Sequence, residues 1–379
     1  MRKIKLAYLW LAKSGSVGSG NTNHIRHWLR GIPKDKYEPL LITPFLEIMR
    51  LENYFGDNTG LRIIQKKDLW TNNFWRASKI LKRCLEENGV DLLHTLGPRA
   101  DIIGGFAKKN GLRIPVVSTV EVYIPGFNPP WWKYQIYKRI YSGASRYIDA
   151  ITAISNQTKN ELVNEFEVSE DKISVINSGV DISQYPLKPG WPFGKPGESF
   201  PVIGYIGRLS HEKRVDILLA SFAQVFKAIP EANLFIAGDG NQKTFLMEYA
   251  KGLGINERVK FWGWLSNPLD FYKMVDIFVM TSASEGLPWT ILEAAASGIP
   301  IVSTKSGGIN DVIQQGETGF LLDDSEPEHI VEAIISLLQD NALARNLASS
   351  ARDRIESHFN HEREMKDFLN LYEKFVGAL

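Results

Sequence analysis

Residues 276–304 read DIFVMTSASEGLPWTILEAAASGIPIVST: an apolar run, a polar turn, a helical stretch and a second apolar run. The runs DIFVMT and IPIVST predict buried strands. Between them, Pro288 suits the first position of a helix because its missing N–H is not needed there. Gly298 suits the residue that ends the helix. The stretch therefore predicts a strand–helix–strand unit, which is the building block of a parallel sheet covered by helices.

The same alternation of predicted strands and helices extends through both halves of the chain. An amphipathic helix is predicted over residues 215–228. Further strands are predicted at 3–11, 90–94, 116–119, 150–154, 201–207, 232–238 and 258–263. We therefore predict an α/β protein with two Rossmann-like halves, whose ligands lie outside the carboxyl ends of the strands.

Length and local composition predict two domains. A chain of 379 residues exceeds one ordinary core. The stretch 185–201, YPLKPGWPFGKPGESFP, is dense in proline and glycine and predicts a linker or surface loop. We place the domains at 1–183 and 184–359, and we expect the charged, periodic tail 342–379 to be helical.

Composition excludes several classes of protein. The 44% hydrophobic and 23% charged fractions are typical of a soluble globular protein, and the net charge of +1 gives no general attraction to nucleic acid. Cys84 is the only cysteine, which excludes a disulfide framework and fits a reducing cytoplasm; we expect it to be a packed helix residue. No apolar run approaches 18 residues, so no membrane span is expected, and the N-terminal apolar run is interpreted as the first strand.

Two glutamates, Glu285 and Glu293, lie eight positions apart around the predicted helix start. They would be about 12 Å apart if the interval were helical. Helix starts attract phosphate, and carboxylates accept hydrogen bonds from hydroxyl groups strongly. The segment is thus a plausible cradle for a nucleotide-sugar. The alternative is two exposed glutamates, but Glu293 precedes Ala294–Ala296, a packed face where a carboxylate without a partner is costly.

The stretch GYIGRLSHEK, 204–213, ends a strand at Gly207 and then presents Arg208 and Lys213. A glycine there lets a ligand approach the backbone, and two cations can clamp a diphosphate. The alternative is a pair of solvated surface cations. The turn AGDGN, 237–241, is interpreted as an ordinary strand–helix loop. No carboxylate cluster has metal-ligand spacing, so we predict no bound metal.

The segments GRLSHEKRVD, IAGDGN and VKFWGWL, followed by the Glu-x7-Glu segment, resemble the retaining glycosyltransferases of family 4 (group 1). Members of that family have the GT-B fold, in which two Rossmann-like domains face each other across a cleft. The resemblance implies a C-terminal domain that binds a UDP- or GDP-sugar and an N-terminal domain that binds the acceptor. It also implies that residues from about 360 to 379 pack back on the first domain, and that transfer needs no metal or other cofactor.

The resemblance also implies roles for individual residues. Arg208 and Lys213 would hold the donor diphosphate, Glu285 the transferred sugar and Glu293 the ribose. The loop ending at Ser19-Gly20 resembles the family's paired-glycine loop, with Ser19 in place of one glycine. Trp264 and Leu265 would border the base. The remaining donor-site residues implied are Gly20, Gly207 and the backbone of Gly286, Leu287 and Pro288.

One position departs from the family pattern. Many relatives carry a histidine after a Thr-Val pair, whereas VVSTVEVY places Glu121 there. This carboxylate could accept a proton or stabilise positive charge in the transition state, or it could be a loop carboxylate without such a role. His94 is the nearest alternative, but it ends an apolar strand and is better interpreted as a satisfied strand residue.

The segment NPPWWKYQIYKRIYSGASRY, 128–147, interleaves aromatic and basic residues. Tyr134, Tyr137 and Tyr141 recur at helical spacing, which favours a core-facing stripe. The same composition suits an anionic membrane surface or a lipid-linked acceptor, and less well a nucleic acid. We expect no nucleic acid partner. Core packing and binding to a membrane surface or lipid-linked acceptor both remain open alternatives.

The function predicted is transfer of a hexose-type sugar to a glycan, lipid-linked or small-molecule hydroxyl, in the cytoplasm or peripherally on the inner membrane face. Two alternatives remain from the sequence. One is an epimerase or phosphorylase on the same architecture. The other is a nucleotide-sugar-binding protein without catalysis.

Overall fold

The computed structural model describes residues 2–11, 20–44, 51, 54–55, 59–121, 130–187, 200–265 and 267–377, with the backbone alone at 20–23. The chain forms two compact units. Unit 1 comprises Met1–Ser178 and His361–Leu379, and unit 2 comprises Gly179–Asn360. Each unit has its own apolar core.

Unit 1 is built on a parallel sheet. Its strands are β1 (Ile4–Trp10), β2 (Tyr37–Thr43), β3 (Arg62–Gln65), β4 (Leu92–Leu96), β5 (Val116–Val120), β6 (Ala150–Ala153) and β7 (Ile173–Val175). They lie in the order β3-β2-β1-β4-β5-β6-β7, so the strand order reverses between β1 and β4. The central strands β4 and β5 are buried throughout, which is why they read as continuous apolar runs.

Helices connect these strands. In chain order they are α1 (Gly20–Gly31), α2 (Phe74–Glu87), α3 (Pro98–Lys109), α4 (Trp131–Ser145) and α5 (Asn156–Asn164). Asn73 caps α2 by accepting a hydrogen bond from the backbone N–H of Arg76. Cys84 is buried in α2, as predicted, and burial raises the pKa of its thiol.

Unit 2 is also built on a parallel sheet. Its strands are β8 (Val202–Ile206), β9 (Asn233–Ala237), β10 (Val259–Gly263), β11 (Ile277–Met280), β12 (Ile301–Thr304) and β13 (Phe320–Leu322). The order is β10-β9-β8-β11-β12-β13, with parallel pairing throughout. The strand order reverses between β8 and β11, and such a switch point is where open α/β sheets bind ligands.

The helices of unit 2 precede a last helix that belongs to unit 1. They are α6 (Val215–Ala228), α7 (Lys243–Gly252), α8 (Leu269–Met274), α9 (Trp289–Ala296), α10 (Ile309–Val312), α11 (Pro327–Gln339) and α12 (Asn341–His358). The last helix, α13 (His361–Val376), packs Phe368 and Tyr372 into the core of unit 1 beside Trp28. The tail predicted to be helical is thus two helices, one in each unit.

The predicted strands are all present, and the helix predicted over 215–228 has those bounds. The patterns do not single out β2, β3, β7 and β13. Pro39 lies inside β2, and proline argues against a strand interior. The other three are short, and β3 and β13 hold no buried residue. Most of the predicted linker, residues 188–199, lies outside the described residues.

Candidate functional site

The loops that follow β8 and β11 meet at the switch point of unit 2. Thr281, which follows β11, donates a hydrogen bond to the carbonyl oxygen of Arg214 at 2.8 Å. The backbone N–H of Ala283 donates to the carbonyl oxygen of Glu212 at 2.9 Å. These bonds tie the loop that carries the predicted diphosphate clamp to the loop that carries Glu285.

Lys213 and Glu285 form an ion pair at this point. Lys213 Nζ lies 2.7 Å from Glu285 Oε1, and the two side chains are 19% and 8% exposed. The family resemblance implies that Lys213 contacts the diphosphate and Glu285 the sugar, and the structure brings these two side chains together. A cation and a carboxylate side by side can serve an anionic diphosphate and the hydroxyl groups of an adjoining sugar.

The helix start after Glu285 differs slightly from the prediction. Pro288 is the residue before α9 and has ψ near 122°, so it is the N-cap and not the first helical residue. Its ring fixes φ but leaves ψ free, which is why the sequence could not separate the two positions. The predicted end of the helix is confirmed, because Gly298 has φ of +72° beyond the last turn.

Glycine at 307 is required by the packing beneath Glu285. Gly307 has φ of +56°, and a Cβ there would collide with the carbonyl group of Glu285. The backbone N–H of Gly308 donates to the carbonyl oxygen of Gly286. The backbone of Glu285 and Gly286 is therefore supported from the loop after β12, which fixes the position of the Glu285 side chain.

Glu293 is buried on α9, with 9% of its surface exposed. Its partners are tyrosines: Tyr185 donates to Oε1 at 3.1 Å and Tyr272 donates to Oε2 at 2.8 Å. The carboxylate is therefore partnered, as a buried position requires, by two hydroxyls of the same unit. A carboxylate offers about four acceptor positions, so two hydrogen bonds do not saturate it.

Replacing Glu293 with glutamine should change how stability depends on pH. Burial raises the pKa of Glu293 to about 7, although the hydrogen bonds from Tyr272 and Tyr185 act to lower it. Because the folded-state pKa is raised, the protein loses stability relative to the variant as pH rises from about 4.5 to about 7. The expected loss is on the order of 2–3 kcal/mol. Urea unfolding of both proteins at pH 5 and pH 8 measures it, and identical pH slopes would contradict a raised pKa.

Arg208 and Gly207 follow β8. Arg208 is exposed, so its guanidinium group is accessible to a ligand. The glycine at 207 has a structural reason, because a Cβ there would meet the hydroxyl of Tyr205. Gly238 in the neighbouring loop has φ of +133°, and a Cβ there would collide with the carbonyl group of Gly207. Close packing of these two loops therefore explains glycine at both positions without a ligand.

The residues predicted to border the base follow β10. Trp264 is exposed and Leu265 is half-buried, and the preceding Gly263 accepts a hydrogen bond from the N–H of Gly238 at 2.7 Å. The structure therefore places the Trp264 loop beside the loop after β9. This is the same edge of the sheet as Arg208.

In unit 1, Glu121 directly follows β5 and is 6% exposed. His24 of α1 donates from Nδ1 to Glu121 Oε1 at 2.5 Å. On its other side, His24 Nε2 lies 3.4 Å from Glu364 Oε1, which also accepts a hydrogen bond from Trp28 Nε1 at 2.9 Å. No sequence motif singles out His24 or Glu364, although spacing of i and i+4 on α1 places His24 and Trp28 on one face.

The charge state of His24 follows from these neighbours. Burial acts to lower its pKa, but Glu121 and Glu364 act to raise it, and the net shift is upward. The two carboxylates on either side therefore favour the protonated form of the imidazole. It balances a charge that the buried carboxylate of Glu121 could not otherwise carry at low cost.

His94 is a satisfied strand residue, as predicted. It is fully buried in β4 and pairs with Tyr372 at 2.6 Å and Thr119 at 2.7 Å. Burial, with a smaller effect of His24, lowers its pKa to about 3, so it is neutral. Its role is to join α13 to the sheet.

The predicted phosphate-facing loop of unit 1 can be placed only in part. Gly20 is the first residue of α1, whereas Ser19 and the loop before it lie outside the described residues. Within the described part of the chain, no group of three or more His, Cys, Asp or Glu side chains is arranged to hold a metal ion. Among the same residues, no helix has both the length and the apolar composition needed to cross a membrane.

Two family descriptions match the chain. Residues 193–354 match Glycosyl transferases group 1, and residues 18–184 match Glycosyltransferase Family 4. The N-acetyl-alpha-D-glucosaminyl L-malate synthase of Bacillus anthracis is 28% identical over 304 residues, which cover 78% of this chain and 77% of that one. The lipopolysaccharide core biosynthesis glycosyltransferase LpsE of Rhizobium meliloti is 33% identical over 171 residues, 45% of this chain and 49% of that one.

Solved structures share the fold. Anabaena Alr3699/HepE in complex with UDP superposes with a TM-score of 0.82, covering 98% of this chain and 100% of that chain at 20% identity. The sucrose-phosphate synthase of Thermosynechococcus elongatus superposes with a TM-score of 0.83 at 17% identity, covering 100% of both chains. At these identities the likeness shows a common architecture of two Rossmann-like domains.

Proposed function

This chain belongs to the group 1, family 4 glycosyltransferases with the GT-B fold, and we propose that it moves a hexose-type sugar from a UDP- or GDP-sugar to a hydroxyl acceptor. The observation that carries the proposal is the Lys213–Glu285 pair at the switch point, with exposed Arg208 on the same loop. The acceptor is a glycan, a lipid-linked or a small-molecule hydroxyl. The configuration of the sugar is retained, and no metal takes part.

The donor diphosphate binds Arg208 and Lys213. Their charges offset the negative charge that grows on the departing nucleotide, which is the kind of stabilisation that speeds group transfer most. Glu285 accepts hydrogen bonds from the hydroxyls of the transferred sugar. The backbone N–H groups of Gly286 and Leu287, just before α9, add partial positive charge on the same side.

The nucleoside binds farther along the same sheet edge. Glu293 accepts hydrogen bonds from the ribose with the acceptor positions that Tyr185 and Tyr272 leave open. Exposed Trp264, with Leu265, borders the base. HepE has the same fold, and its structure has been solved in complex with UDP. This supports UDP as the first nucleotide to test.

Glu121 acts on the acceptor. Its carboxylate follows β5, at the carboxyl edge of the sheet in unit 1, where ligands of such sheets bind. It receives the proton of the attacking hydroxyl or stabilises positive charge on the sugar. His24 is a positioning residue that holds the carboxylate in place through the hydrogen bond from Nδ1.

The test of the donor site is a thermal-shift and calorimetric panel of nucleoside diphosphates and their sugars, with EDTA present. Binding raises the free energy of unfolding by about 2.7 kcal/mol at a hundredfold excess over the dissociation constant. We expect one nucleotide family to give this shift and Arg208→Ala to lose it. No shift with any of these compounds would contradict the proposed donor site.

Transfer itself is tested next, with the donor that binds. A retained anomeric configuration in the product, seen by NMR, and a rate unaffected by EDTA are the expected results. Donor binding with neither transfer nor slow hydrolysis would favour a binding protein. Sugar release that depends on inorganic phosphate would favour a phosphorylase.

A further inference from the structure

Helix α4 has two unlike faces. Tyr134, Tyr137 and Tyr141 face the core of unit 1, where Tyr141 is buried and its ring lies 5.2 Å from that of Phe166. Tyr134 donates a hydrogen bond to Glu165 Oε2 at 2.8 Å. The tyrosine stripe is therefore core packing, which was one of the alternatives for this segment.

Outside the tyrosine stripe, the helix carries large apolar side chains in water. Trp131, Trp132 and Ile136 are 76%, 56% and 53% exposed. At 100° per residue, Trp132, Ile136 and Arg139 lie on the face opposite the three tyrosines. We call Trp131, Trp132, Lys133, Ile136 and Arg139 the α4 patch. Single exposed apolar residues are ordinary, but adjoining tryptophans with an isoleucine one turn on mark an interaction site.

The charge of this helix has one sign. From 131 to 146 the sequence holds Lys133, Lys138, Arg139 and Arg146 and no aspartate or glutamate. Lys133 Nζ lies 5.3 Å from the centroid of the Trp132 ring, so cation and aromatic surface are presented together. A partner that covers this face must offer negative charge beside apolar material.

We propose that the α4 patch binds the surface of a bilayer that contains anionic phospholipids. Tryptophan favours the headgroup region, lysine and arginine are attracted to anionic headgroups, and an amphipathic helix lies in that plane with its apolar face inserted. A single-stranded nucleic acid fits less well, because its bases need aromatic partners to stack on and Ile136 offers none. Vesicle binding needs neither donor nor acceptor, so this inference stands apart from the proposed transfer reaction.

The experiment is flotation of the full chain with vesicles of phosphatidylcholine alone or with 30% phosphatidylglycerol, as a test condition. We expect binding to the anionic vesicles only, with a blue shift of tryptophan fluorescence. Trp131→Ser/Trp132→Ser should lower the partition coefficient by roughly tenfold or more. Lys133→Gln/Arg139→Gln should lower it about fivefold for each charge removed.

The matched control is Phe245→Ser/Met247→Ser, which removes two exposed apolar side chains from α7 in unit 2. It should bind vesicles like the wild type. All the substituted positions are exposed, and circular dichroism verifies that the variants are folded. Absence of binding to anionic vesicles would overturn the proposal, as would equal losses in the control and the tryptophan variant. So would binding of a single-stranded oligonucleotide with no vesicle binding.

Discussion

Replacing Lys213 with alanine is expected to lower the rate of sugar transfer about a hundredfold to a thousandfold. Lys213 stands 2.7 Å from Glu285 on the loop after β8, where the departing diphosphate is proposed to bind. Without the ammonium group, the charge that develops on the nucleotide is not offset. The measurement is kcat/KM for the donor that the binding panel identifies, together with the melting temperature of each variant.

The control for Lys213→Ala is Lys243→Ala. Lys243 also pairs with a carboxylate, since its Nζ lies 3.0 Å from Asp239, but it belongs to the first turn of α7 and the pair is more exposed. We expect its transfer rate to stay within about twofold of the wild type, because exposed pairs of this kind contribute little. Transfer by Lys213→Ala at the wild-type rate would remove this lysine from the site. A loss explained by unfolding alone would make it a structural residue.

Replacing Glu121 with glutamine is expected to lower turnover about a hundredfold or more while donor binding is unchanged. The amide keeps the size of the side chain but cannot take a proton or carry negative charge. Glu121 belongs to unit 1 and the proposed nucleotide contacts lie in unit 2. Single-turnover kinetics and calorimetry with the nucleoside diphosphate separate the two effects. The matched control is Glu170→Gln, which changes an exposed glutamate that pairs with Lys159 in the same unit.

His24→Asn distinguishes positioning from a purely structural role. The folded-state pKa of His24 is raised, so its contribution to stability is present below its unfolded pKa and is lost as pH rises through the folded pKa. Wild type should therefore lose stability above about pH 6.5 in a way that the variant does not. The pH profile of turnover should also change in the variant. Wild-type turnover in Glu121→Gln, or an unaltered pH profile in His24→Asn, would contradict these roles.

Much of the fold follows from local sequence. The strands β4, β5, β6, β11 and β12 are buried at every residue, and most residues of β1, β8 and β9 are buried, so these strands appear in the sequence as continuous hydrophobic segments. The end of α9 is equally local, because only glycine adopts the left-handed backbone at 298 without strain. Strands with a proline or with exposed residues, such as β2 and β3, are not identified by their apolar runs.

The site was predictable as a set of residues but not as a set of contacts. Arg208, Lys213 and Glu285 follow strand ends, and parallel strands bring their carboxyl ends to one edge, so their proximity could be expected. The loops that support them could not. Gly307 packs under Glu285 from the loop after β12, outside the Glu-x7-Glu segment.

By itself, the sequence determined the two-domain α/β class, the strand ends that carry cations and carboxylates, and the position of Glu121. Tertiary structure alone decided the partners. His24 and Glu121 are 97 positions apart, and Tyr185 and Glu293 are 108 apart. Periodicity and turn chemistry act over a few residues, whereas these contacts depend on how helices pack on a finished sheet. That is why the raised pKa values of His24 and Glu293 are properties of the fold.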